Sequence, residues 1–396
     1  MTLHDHRITS VVLSRIDSRY PRTISSNARL GSHGSGTENH VAIVGTDSGA
    51  SGWGLVKVKL KAGGSILDAM RAAGIEGPAG RRFFDLFEPD TAGVEDLVGR
   101  RLGDLFDPEV GVIDDAALPL DFALHDLAGR LLDAPVHQLL GGHGEPSGTC
   151  YDGAIYFDDL SPGDNPRGIE AVLENCANDH ALGYRAFKLK IGRGSRWMDA
   201  AAGQLRDVAV TRAVRDAYPD CRVLVDANNS YSGAGFLTYL DAVADCDLFW
   251  VEEPFVEAED DLAALRSYLD QAGARTLIAD GEGSESDDAR LLDLASKGLI
   301  DVIQFNIVDY GLTAWRRIMP LLRRLDVQAS PHTWGCPVNT MYAAQVARGL
   351  GNVITVEGVP GYTSGVDTSG YVLSEGVLRV SDAPGFGMSL TERADQ

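Results

Sequence analysis

Beyond about residue 143 the chain alternates between short apolar runs and longer stretches in which apolar residues recur every three or four positions. The runs are Ala186-Phe187-Lys188-Leu189, Arg222 to Val225, Leu248 to Val251, Thr276 to Ala279, Val302 to Phe305, Val327 to Ser330 and Val353 to Val356. Amphipathic segments such as Ala200 to Ala217 and Asp260 to Gln271 separate them. Runs this short and continuous suit strands buried on both faces, and their alternation with helices predicts βαβ units in a parallel sheet. The repeat of about 25 to 35 residues, with one further strand assumed near Thr149-Cys150-Tyr151, predicts an α/β protein built on a (β/α)8 TIM barrel.

Ahead of the barrel the pattern is different. Ile8 to Leu13, His40 to Gly45 and Gly54 to Leu60 read as strands, and the Ser-, Gly- and Asn-rich stretch Ser25 to Glu38 reads as a mobile loop. From Ser65 to about Leu140 the rhythm is helical, with Leu120, Ala123, Leu124, Leu127, Leu131 and Leu132 on one face and a glycine stop at Gly141-Gly142. The expected division is an α+β capping domain over 1–142, the barrel over 143–361 and a segment over 362–396 that returns to the cap.

The 396 residues carry a formal charge of -22, which opposes nucleic acid or an anionic membrane as partner. No run approaches the roughly 18 apolar residues of a membrane span, and the amino terminus lacks a secretory core, so a cytoplasmic protein is expected. Cys150, Cys176, Cys221, Cys246 and Cys336 show no paired spacing and read as free thiols.

The strands end in charge. Their carboxyl ends carry Lys188 and Lys190, Asp226 and Asn228, Glu252, Glu282, Asn306, His332 and Glu357, and in a barrel these ends converge on one mouth. Lys188 and Lys190, two apart on a strand, share a face; their repulsion and burial are expected to depress one pKa and create a base. Taken alone, the pair also fits two solvated surface lysines. Asp226, Glu252 and Glu282 would repel unless a cation lay between them, and oxygen ligands favour Mg²⁺. Each taken singly also fits a helix cap.

Together these residues resemble the enolase superfamily and its mandelate racemase-like branch, which contains many acid-sugar dehydratases. The Lys188-x-Lys190 pair, Asp226-x-Asn228, Glu252-Glu253-Pro254, Gly281-Glu282 and His332 fall in that family's order, and Leu120 to Gly129 followed by Pro135 to Gly142 looks like its capping-domain helix and junction. The resemblance implies one Mg²⁺ per subunit held by Asp226, Glu252 and Glu282, with Lys190 as the base that takes a proton next to a substrate carboxylate, giving an enolate. It implies that Lys188 assists Lys190, that a protonated Glu357 donates to the substrate carboxylate, and that the substrate is a small carboxylate bound in a homo-oligomer. Asn228, Arg22, Arg29 and His33 are the candidate substrate contacts.

Asn306 departs from the pattern, because the branch pairs its histidine with an aspartate there. His332 is therefore expected to be less basic, which favours dehydration of a hydroxy-carboxylate over racemisation or epimerisation of a 2-hydroxy acid. Absence of a lysine at position 306 argues against muconate-cycloisomerase-like chemistry. A degenerate member that binds metal without turnover is the non-enzymatic alternative.

Overall fold

The computed structural model describes residues 2–60, 87–89, 91–145, 147–282 and 288–391. Strands β1 (Ile8–Ile24), β2 (Gly34–Thr46) and β3 (Ser51–Leu55) form an antiparallel sheet that packs on helix α1 (Asp121–Leu131). The helix comes very close to the sheet. A Cβ on Gly52 would lie 2.3 Å from the Leu127 nitrogen, and one on Gly54 would lie 2.5 Å from Phe122 Cβ. Part of the helical stretch expected from Ser65 to Leu140 lies outside the described residues, and 91–120 holds 3₁₀ helices of three to six residues and two-residue strands in place of an α-helix. Gly93, Gly99 and Gly111, all at positive φ, interrupt the rhythm there, as does Pro119.

Among the described residues eight parallel strands follow: β4 (Ser147–Ile155), β5 (Ala186–Lys190), β6 (Arg222–Asp226), β7 (Leu248–Glu252), β8 (Leu277–Asp280), β9 (Val302–Ile303), β10 (Gln328–Ala329) and β11 (Val356–Gly358). Each pairs with the next from β4 to β10, Ala329 bridges Val353, and β11 returns to β4 with Glu357 opposite Tyr151, so the sheet closes into a barrel. The last strand begins at Val356, where the apolar run was expected to end. The shift brings Glu357 into the ladder itself.

Inward side chains Tyr151, Ala186, Leu224, Trp250, Ala279 and Val302 fill the interior of the barrel. Outer helices start and stop on local signals. The helix Ala200–Ala217 is capped by Asp199, which accepts from the Ala201 and Ala202 amides; the helix Glu259–Ala272 opens on three acidic residues and stops at Gly273, φ 63°. Between these two lies the helix Gly233–Ala242, and no described helix is long and apolar enough to cross a membrane. All five cysteines are free and buried.

The residues after Gly361 divide their contacts. Thr363 pairs with Ser18 of β1, Phe386 donates its amide to Asp126 of α1, and the hairpin Val372–Ser374 with Val377–Arg379 extends the barrel sheet at Thr149.

One buried cation braces the loop beyond β5. Arg193 is fully buried, 2.6 Å from Asp159 and 2.7 Å from Asp207; it lies over the Phe157 ring and donates to the Lys190 carbonyl at 3.3 Å. Replacing Arg193 with methionine would leave both carboxylates buried without that partner, so urea denaturation is expected to show a loss of about 3–5 kcal/mol. A loss below about 1 kcal/mol would remove the brace from this account.

Candidate active site

Strand alternation carries both lysines of β5 into the barrel mouth, where Lys188 and Lys190 are 1% and 2% exposed. Lys188 Nζ lies 2.7 Å from Glu252 Oε1, 2.8 Å from Glu357 Oε1 and 3.4 Å from Asp226 Oδ2. Lys190 Nζ donates to Asp226 Oδ2 and lies 3.8 Å from Glu282 Oε2. Gly153 on β4 is part of this arrangement, because a Cβ there would come within 2.6 Å of Glu357 Oε1.

These contacts reverse the expected lysine shift. Burial pushes Lys188 down, but Glu252 and Glu357 more than offset it and hold the ammonium well above its ordinary value; Asp226 and Glu282 likewise raise Lys190 against the pull of burial. Burial and the lysines' mutual repulsion, the two influences behind the expected depression, are outweighed by the carboxylates that surround them.

Four carboxylates facing two ammonium groups leave two negative charges in the mouth. Burial, with the like charges of Asp226 and Glu282, drives Glu252 well above its ordinary value even beside Lys188. One oxygen from each of Asp226, Glu252 and Glu282 lies within 4.8 Å of the others, an all-oxygen set whose charge and hardness suit a divalent cation. Such a cation would balance the two excess charges. Gln304, absent from the candidates above, donates to Glu252 Oε2 at 3.0 Å and orients it. It stands two residues before Asn306, a spacing that strand alternation could have flagged.

Glu357 is not the protonated donor that was expected. Burial raises its pKa, but Lys188 and His332 lower it further, and Oε2 accepts from the amides of Thr333 at 2.6 Å and Trp334 at 3.2 Å. It is an ionised acceptor that ties Lys188 to the loop carrying His332.

Asn306 and His332 are neighbours. Asn306 caps the one-turn helix Ile307–Tyr310, its Oδ1 accepting from the Val308 and Asp309 amides at 2.9 and 3.1 Å. That commits the amide nitrogen to His332 Nδ1, 3.1 Å away. An amide nitrogen only donates, so Nδ1 accepts and the neutral ring carries its proton on Nε2, which lies 3.0 Å from Glu282 Oε1. Two influences compete at this ring. Burial lowers the pKa of His332 and Glu282 and Glu357 raise it, a net rise opposite to the expected weakening, whereas the Asn306 donor disfavours a second proton on Nδ1. A cation on Glu282 would diminish the first influence and leave the second.

The candidate substrate contacts separate. Arg22 is bound to Asp179 at 2.9 and 2.6 Å and to the Ala154 carbonyl, which ties β1 to the barrel and occupies its guanidinium. Arg29 donates to the Asn228 carbonyl at 2.8 Å and to that of Asn229, so it holds the loop after β6. The Asn228 amide donates to Asp226 Oδ1 at 2.9 Å while its own side-chain oxygen is buried. His33 lies edge-on to Tyr156, over whose ring Lys190 Nζ sits 5.5 Å from the centroid. The loop expected over Ser25–Glu38 is shorter than that: β1 runs to Ile24, β2 begins at Gly34, and Asn27 Oδ1 accepts from the Arg29 and Leu30 amides between them.

Comparison with known proteins fits this geometry. The enolase C-terminal domain-like family matches residues 171–394. D-galactarolactone cycloisomerase of Agrobacterium fabrum is 30% identical over 57% of this chain and 55% of its own, and D-xylonate dehydratase of Haloferax volcanii is 26% identical over 68% and 66%. The chain thus spans between half and two thirds of the length of the curated relatives it matches first. Epimerases are among them, including a hydrophobic dipeptide epimerase of Enterococcus faecalis. A solved structure of galacturonate dehydratase from a Geobacillus species, complexed with D-galacturonate and 5-keto-4-deoxy-D-galacturonate, superposes with a TM-score of 0.84 at 28% identity, covering 98% of this chain and 96% of that one. A mutant of that dehydratase, complexed with Mg, gives 0.85.

Glu252→Gln keeps the shape of the side chain and removes its charge. Calorimetric titration is expected to show Mg²⁺ affinity falling by more than about tenfold. Unchanged affinity would take Glu252 out of the ligand set.

Proposed function

The chain belongs to the enolase C-terminal domain-like family, and from that premise we propose that it removes the proton next to the carboxylate of a polyhydroxy acid and eliminates the hydroxyl on the following carbon. The observation that carries this reading is the pair Lys190 and His332 facing one carboxylate, Glu282, at 3.8 and 3.0 Å beside the three-carboxylate cluster.

Asp226, Glu252 and Glu282 would hold Mg²⁺, which supplies positive charge for a substrate carboxylate and for the negative charge that grows on it as the neighbouring proton leaves. With the charge of Asp226 and Glu282 shared in that way, burial and the neighbouring Lys188 favour the neutral amine of Lys190, the form that accepts a proton. Lys188, held by Glu252 and Glu357, stays an ammonium and stabilises negative charge on the substrate.

His332 decides between the two outcomes open to the family. Racemisation needs a base on each face of the carbon, and a base at Nε2 needs its proton on Nδ1. Asn306 offers no acceptor there, because its oxygen is committed to the helix cap. What His332 presents is an Nε2 hydrogen, suited to a departing hydroxyl. The balance closes: the Cα–H proton goes to Lys190, the Cα=Cβ bond forms as the neighbouring C–O bond breaks, and the hydroxide, hydrogen-bonded to His332, leaves as water with the proton Lys190 carried. The enol so formed becomes a keto-deoxy acid. Galacturonate, the ligand of the Geobacillus relative, is the first substrate to test.

The wild-type protein with Mg²⁺ and a panel of acid sugars is expected to yield a product lighter by one water, detected by mass spectrometry. Lys190→Ala should lower that rate by about 10²–10⁴-fold with an unchanged far-UV spectrum; retained turnover would mean that another group is the base. Asn306→Asp keeps the cap and supplies the missing acceptor, so ¹⁵N NMR should find the His332 proton on Nε2 in the wild type and on Nδ1 in the variant. A wild-type ring protonated on Nδ1 would overturn the assignment.

A further inference from the structure

Trp334 is an unsettled residue on the cap side of the mouth. It is 7% exposed and packs between Tyr20, at 5.3 Å between ring centroids, and Tyr156, at 5.0 Å, yet its Nε1 is buried without a hydrogen-bond partner among the described residues. A buried donor left unmade costs about 1–3 kcal/mol, so a partner of some kind is called for. His33 stands edge-on to the same indole, with ring centroids 6.2 Å apart, and is itself 7% exposed.

The polarity of His33 is fixed from behind. Its Nδ1 lies 3.0 Å from the Ser25 carbonyl, and a carbonyl only accepts, so Nδ1 carries the proton and Nε2 is left as an acceptor. Burial, with a contribution from Lys190, pushes the ring down to about 4, so it stays neutral. The loop that carries it is tied to the barrel through Trp197 Nε1 and the Asn27 carbonyl and through Arg196 and the Arg29 carbonyl.

A donor-only indole and an acceptor-only imidazole thus share one aromatic corner beside Tyr156, whose ring lies under the proposed base. We infer that Trp334 Nε1 and His33 Nε2 together clasp a hydroxyl of the substrate on the cap side, and so select polyhydroxy acids over simple hydroxy acids. A hydroxyl accepts from one and donates to the other. A carboxylate cannot donate to His33, an ammonium cannot accept from Trp334, and a methyl group leaves both unpaired. The inference rests on the proposed enolising site and names its selectivity.

The test uses ¹⁵N-labelled full-length protein with Mg²⁺, the indole signal of Trp334 being the one lost in Trp334→Phe, which keeps the stacked ring and removes the donor. D-galacturonate and D-gluconate are compared with 2-hydroxybutyrate, which has no further hydroxyl, and deuterium uptake next to the carboxylate is followed for each. The expected result is an indole shift with the sugar acids alone, and in Trp334→Phe a KM for the sugar acid raised about tenfold against a smaller change in uptake into 2-hydroxybutyrate. An indole that stays still while a sugar acid exchanges, or an equal loss for both classes in the variant, overturns the clasp. An indole shift with no exchange in any acid overturns the enolising reading and leaves the clasp standing. Absence of both overturns both.

Discussion

Two ammonium groups and four carboxylates share one barrel mouth, nearly all of them out of water, and the rest of the structure is arranged around that constraint. A lone buried charge costs far more than any packing gain nearby, and even a paired one is often less stable than an apolar replacement. The cluster is therefore poorly explained as a stabilising device. It persists because each member is held: Lys188 between Glu252 and Glu357, Lys190 on Asp226, Glu252 by Gln304, and Glu357 by two backbone amides. Gly153 leaves room for Glu357, and Arg193 fixes the chain where it leaves Lys190. The two negative charges left over are what a divalent cation would balance.

The same economy of polar contacts docks the cap. Arg22 reaches from β1 to Asp179, Arg29 from the cap loop to the carbonyls after β6, and Tyr20 and Thr37 both donate to the Gly335 carbonyl just beyond Trp334. On the far side Asp121 of α1 accepts from the amide and hydroxyl of Thr313, in the helix Leu312–Arg324. Cap residues thereby reach the mouth through groups whose donors and acceptors are already assigned, and His33 inherits a fixed tautomer from Ser25.

Much of this was legible in the sequence. Short apolar runs ending in charge gave the barrel and the strand-end residues, because strand alternation converts spacing into direction. What was not legible depends on contacts between distant segments. The lysines are raised rather than lowered because carboxylates from β6, β7, β11 and the loop after β8 surround them, and Glu357 is ionised for the same reason. The orientation of Asn306 turns on a helix of four residues, too short for any periodicity to announce. Trp334 follows His332 by two positions with nothing in its neighbourhood to distinguish it from a core indole.

The central claim is that this charge cluster makes a carbon acid next to a carboxylate labile. Its most direct measurement is deuterium uptake at that carbon, by proton NMR, when the wild-type protein and Mg²⁺ are incubated in D₂O with D-galacturonate and related acid sugars. Uptake or elimination that requires the metal is the predicted result; a metal-loaded, folded protein that leaves that carbon untouched in every acid sugar would contradict it.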